Sequence, residues 1–132
     1  MPPYLDYPAL MALAVRSESV AQACSCCKTL SSARESQPVS YPEEQLREAG
    51  TLRAADDESN DEPTFDEYHP DRTQFWSPAA PIAPRYFPYN RCDVWECTVC
   101  GRHFLRYVEG GGYFVDRRIR QLRASLVVDA AL

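Results

Sequence analysis

In Arg91-Cys-Asp-Val-Trp-Glu-Cys-Thr-Val-Cys-Gly-Arg-His-Phe-Leu-Arg-Tyr107, Cys97 and Cys100 stand two residues apart, with Gly101 directly after the second. Val94, Trp95, Phe104, Leu105 and Tyr107 on either side are residues that favour strands. The pattern predicts a strand running in, a tight turn that presents two sulfurs, and a strand running out. Glycine after the second cysteine permits a positive φ, which aims backbone N–H groups at the sulfur.

Working outward, Cys92–Glu96 reads as one strand and Arg102–Val108 as a second. Glu109-Gly-Gly-Gly112 supplies a glycine turn, and Tyr113–Ile119 reads as a third strand. The expected fold class is α+β: a small three-stranded antiparallel meander, zinc-ribbon-like, with an N-terminal helix and a cover segment rich in proline and aromatics. Apolar residues on both faces of the meander suggest that one face meets the helix and the other the cover. The helix is expected from about Pro8 to Ala23, with Asp6 as cap and Leu10, Leu13, Ala14, Ser17 and Ala21 along one face.

That helix runs into Cys24-Ser-Cys-Cys27, where Cys24 and Cys27 repeat the two-residue gap of Cys97 and Cys100. Zinc prefers four tetrahedral ligands, and each such gap supplies two. The expected metal ligands are Cys24, Cys27, Cys97 and Cys100, holding a structural zinc that clips the helix to the hairpin. Alternatives remain open at this level. Cys26 can stand in for Cys24, a local set of Cys92, Cys97, Cys100 and His103 is conceivable, and His69 is a further candidate. Two other readings compete: redox chemistry at Cys97-x-x-Cys100, and buried, inert thiols. A redox cysteine pair opens a helix, however, and a strand follows Cys100 here.

Between the cysteine pairs, Pro42–Gly50 reads as a short helix with proline first, acids in the first turn and glycine last. Residues 54–72 read as a mobile acidic loop inside a single small domain spanning 1–132. Residues 73–90 carry four prolines among Phe75, Trp76, Tyr86, Phe87 and Tyr89, which predicts an extended segment with its rings turned inward. The tail from Gln121 reads as a short helix or, favoured by Leu126-Val-Val, a final strand.

Composition narrows the function classes. The chain has 132 residues, six cysteines, eleven prolines and a net charge of −5, which opposes nucleic-acid binding driven by overall charge. No apolar run approaches the roughly 20 residues that span a bilayer. The opening Met-Pro-Pro-Tyr-Leu-Asp-Tyr-Pro lacks the marks of a secretory signal, so a cytoplasmic location is expected. There is no Gly-rich phosphate loop and no Gly-x-Ser-x-Gly elbow, and only His69 and His103 offer imidazole, so the chain reads as non-enzymatic.

Cys97-x-x-Cys-Gly-Arg-x-Phe104 resembles one knuckle of a zinc ribbon. Trp95 through Ile119, with its Phe-Leu-Arg-Tyr, Gly-Gly-Gly-Tyr-Phe-Val-Asp and Arg-Arg-Ile-Arg runs, is similar to small uncharacterised bacterial proteins associated with toxin–immunity loci. The resemblance implies a protein-binding module, an immunity protein that neutralises a basic toxin. Glu58, Asp61, Glu62, Asp66 and Glu67 are then the expected partner contacts, because complementary charge steers association. The alternative is a nucleic-acid-binding or regulatory ribbon using Arg102, Arg106, Arg117, Arg118, Arg120 and Arg123, with Tyr107 or Tyr113 stacking on bases.

Overall fold

A computed structural model describes residues 3–30, 35–38, 40–53, 64–74, 77–111 and 114–130. Helix α1 spans Tyr7–Glu18. Asp6 caps it, its Oδ1 accepting from Ala9 N–H at 3.0 Å, and Pro8 sits in the first turn, where a missing N–H costs nothing. Leu10, Ala14 and Ser17 are buried. The expected run to residue 23 stops early because Ser19 Oγ donates to Arg16 O at 2.6 Å and offers the backbone an alternative to continuing. Ala21 lies beyond the end and is exposed.

The described strands are β1 Glu35–Ser36, β2 Leu46–Thr51, β3 Asp93–Cys97, β4 His103–Gly111 and β5 Phe114–Gln121. They form one antiparallel sheet in the order β1-β5-β4-β3-β2. The chain is therefore α+β, but the expected three-stranded sheet is corrected to five strands. The meander supplies the middle, and two strands from the first half of the chain add an edge on each side. The β4–β5 ladder also runs through the glycines, pairing Gly110 with Val115 and Gly111 with Phe114.

The expected helix over 42–50 is corrected as well. Glu43–Gln45 makes a single tight turn, and β2 follows, pairing Leu46 with Cys97 and Thr51 with Asp93. Nine residues with one leucine have little apolar face to hold a helix, whereas the open edge of β3 offers a ladder of hydrogen bonds. A bulge between Glu48 and Gly50 brings Gly50 against Leu5, where a Cβ would lie 2.5 Å from the leucine side chain. Beyond it, Leu5 N–H bonds Thr51 O, and Thr51 N–H bonds Pro3 O, each at 2.9 Å.

Each face of the sheet carries its own core. On one, Val94, Leu105, Tyr107 and Leu122 pack with Leu10 and Ala14 of α1 and with Ile82 and Tyr89 of the proline segment. Helix and proline segment thus share a face, which corrects the expectation that they cover opposite ones. Arg120, 2% exposed, joins them to β5 by donating to Ala80 O at 2.6 Å and to Tyr89 Oη. Ser17 Oγ accepts from His103 N–H at 2.8 Å and so pins α1 to β4. On the other face, Leu46, Cys97, Phe104 and Ile119 are covered by Cys27, Leu30 and Tyr41. The short linker through the first cysteines does the covering that was expected of the prolines.

Residues 64–72 lie against the proline segment. Phe65 meets Phe87 at 5.6 Å between ring centroids, Tyr68 meets Tyr86 at 5.2 Å, and Phe87 N–H bonds Asp66 O at 2.8 Å. The tail does not join the sheet as a strand. After a turn at Ala124–Leu126 it pairs with the proline segment instead, through Ile82 N–H to Leu126 O at 2.8 Å and Val128 N–H to Ile82 O at 3.0 Å.

Candidate metal centre

The β3–β4 connection is the knuckle that the cysteine spacing predicts. Cys97 N–H bonds Arg102 O, and Gly101 N–H bonds Cys97 O, each at 2.8 Å. Gly101 has φ +88°, and a Cβ there would meet Val20 at an ordinary 3.5 Å, so backbone conformation rather than crowding asks for glycine. The second pair sits where the chain turns after α1. Lys28 N–H bonds Cys24 O at 3.0 Å, which folds Cys24 and Cys27 toward the same side.

These two turns bring the Sγ atoms of Cys24, Cys27, Cys97 and Cys100 within 4.8 Å of one another, with Cys24 and Cys97 separated by 3.9 Å. Tetrahedral zinc with bonds of about 2.3 Å places its sulfurs about 3.8 Å apart, so the donor set and its spacing fit a four-thiolate ion site. All four are free thiols. The four cysteines could hold a metal ion.

The surroundings suit concentrated negative charge. Gln45 Nε2 donates to Cys97 Sγ at 3.1 Å and to Cys24 Sγ at 3.4 Å, and Gln45 O accepts from Thr98 N–H at 2.7 Å, so the turn before β2 is locked to the knuckle. Tyr41 Oη lies 3.3 Å from Cys27 Sγ. For Cys24, burial pushes the thiol pKa up, but the amides of Cys27 and Cys26 and the side chains of Cys27 and Gln45 outweigh it and bring the value down to about 6. Burial raises Cys27 and Cys100. Four sulfurs this close cannot all ionise without a cation between them, and metal binding would release their protons.

The alternative ligands lie elsewhere. Cys92 is buried in the opposite core, its Sγ donating to Pro88 O at 3.4 Å. His103 also points to that side, its Nε2 3.3 Å from Glu96 Oε2, and burial holds its pKa below the ordinary imidazole value. His69 bonds Thr73 Oγ1 at 2.9 Å and Glu67 at 3.2 Å. Cys26 packs at the margin of the cysteine core but is not one of the four clustered thiols.

Of the expected partner contacts, Asp66 and Glu67 are exposed, while Glu58, Asp61 and Glu62 lie outside the described residues. The arginines do not form a single patch. Arg120 is buried, Arg102 donates to Val20 O, Arg118 pairs with Asp116 and Arg123 with Glu18, while Arg106 and Arg117 both reach Glu43. Tyr113 lies outside the described residues. Sequence reasoning missed Gln45 and Tyr41, which carry no metal-ligand signature of their own. Among the described residues no helix is long and apolar enough to cross a membrane. No family model, curated protein or solved structure matches this chain.

Proposed function

We propose that this chain is a non-enzymatic protein-binding module built around a structural zinc ion held by Cys24, Cys27, Cys97 and Cys100. The convergence of four thiols from two distant segments within 4.8 Å carries the reading. Thiolates select zinc, and a set of four leaves no open position for substrate or water. The ion would join the end of α1 to the β3–β4 turn. Protein purified without chelator should contain one zinc per chain, and cobalt substitution should give the absorption of a tetrahedral thiolate site. Metal-free protein that keeps its fold and takes up neither ion refutes the proposal.

The partner in this reading is a basic protein, of the kind an immunity protein neutralises. The net charge of −5 and the exposed Asp66 and Glu67 support it. Charge reversal at both positions should slow association with such a partner and flatten its salt dependence. Unchanged association rates count against this surface.

A further inference from the structure

Beyond the cysteine core, the same sheet face opens into a groove of about 500 Å³ lined by Arg53, Arg91, Arg106 and Arg117, with Trp95 and Asp93 among its walls. Arg53 places Nε and Nη2 on the Asp93 carboxylate at 3.1 and 3.2 Å. The Arg106 guanidinium lies over the Trp95 ring, 4.9 Å from its centroid. Arg117 also lines a neighbouring cleft that holds Gln37 and Glu43, and there three donors converge on one oxygen: Gln37 Nε2, Arg106 Nη2 and Arg117 Nη1 reach Glu43 Oε1 at 2.7, 2.8 and 2.6 Å. Three of these guanidinium groups pair with the carboxylates of Asp93 and Glu43, and that of Arg91 lies over the Phe65 ring, 4.2 Å from its centroid, which leaves positive charge in excess here on a chain whose net charge is −5.

We propose that this groove binds a phosphorylated ligand of nucleotide size, its phosphate taken by Arg106 and Arg117 where Glu43 now sits and the remainder lying along Trp95 toward Arg53. The donors gathered on Glu43 have the arrangement that receives an anionic oxygen. The Glu43 side chain is 39% exposed and has room to swing away. A carboxylate ligand would only exchange like for like with Glu43. A phosphate brings about −1.5 to −2 charge and three acceptor oxygens, so it gains where an acidic peptide does not. The volume falls in the range of about 300–1,000 Å³ typical of small-molecule sites, and guanidinium and indole planes both accept a stacked base.

Fluorescently labelled ATP and a labelled single-stranded oligo-uridine, each titrated with the zinc-loaded protein by anisotropy at low and moderate salt, test this. At least one probe should bind. Arg53→Glu and Arg117→Glu, at side chains 59% and 62% exposed, should each weaken binding about tenfold or more without loss of zinc. Glu43→Gln should tighten it severalfold. Tighter binding of ATP identifies free nucleotide as the source of the phosphate, and tighter binding of the oligonucleotide identifies a single strand. Failure of both probes, equal displacement by polyglutamate, or arginine variants that bind like wild type would each overturn the proposal. Because zinc content is measured on the same samples, failure of the groove and failure of the metal centre are separable.

Discussion

Replacing Cys97 by serine removes one of the four clustered thiols at a site that is 1% exposed and bonded to Gln45. Structural zinc contributes about 10–16 kcal/mol at neutral pH, comparable to the entire stability of a domain, about 5–15 kcal/mol. Shared evenly among four ligands, each thiolate accounts for about 3 kcal/mol. For a domain of this size that corresponds to a fall in melting temperature of about 10 °C. Cys97 also anchors the pairing of β3 with β2 through Leu46, so the loss should spread along that edge. The assay is zinc content with thermal unfolding, alongside Cys26→Ser as a control at a thiol outside the cluster. Cys26→Ser should keep its zinc and stay within about 0.5 kcal/mol of wild type. The reasoning fails if Cys97→Ser retains a full zinc complement and an unchanged melting temperature.

Gly50→Ala should cost about 1–3 kcal/mol in urea unfolding, because the new methyl meets the buried Leu5 at 2.5 Å; the double variant with Leu5→Ala should not show this clash as an added loss. Asp6→Ala removes the cap on Ala9 N–H and should cost about 1 kcal/mol, while Asp6→Asn should be nearly neutral. Burial depresses the folded-state pKa of His103, with Glu96 opposing and Arg16 and Arg47 adding to the depression. Its contribution to stability is therefore present above the unfolded value near 6.5 and is lost as pH falls below it. The stability difference between wild type and His103→Gln should change between about pH 7.5 and 5.5; a flat difference refutes the coupling.

The sequence showed its local features more clearly than its long-range ones. Asp6, Pro8 and the spacing of Leu10, Ala14 and Ser17 mark α1 because a cap and a helical face are short-range properties. Cys97-x-x-Cys100-Gly101 marks a turn for the same reason. The strand at Leu46–Thr51 was hidden because Pro42, Glu43 and Glu44 are good helix openers, and only the waiting edge of β3 overrides them. Gln45 reaches the cysteine cluster through that same misread segment, so missing the strand meant missing the donor. Alternation along a strand, which is legible in the sequence, already separates neighbouring arginines such as Arg117 and Arg118, and it sends Arg120 into the core and Arg106 toward Trp95.

The separation of 73 residues between Cys24 and Cys97 has a consequence for synthesis. A nascent chain leaving the ribosome presents its first two thiols long before the second two emerge, and half a ligand set retains an ion poorly. Under the proposed zinc binding, a product truncated before residue 100 would lack at least one of the four thiols and could not complete the site. The proposed ion would close only on chains whose translation has passed the knuckle.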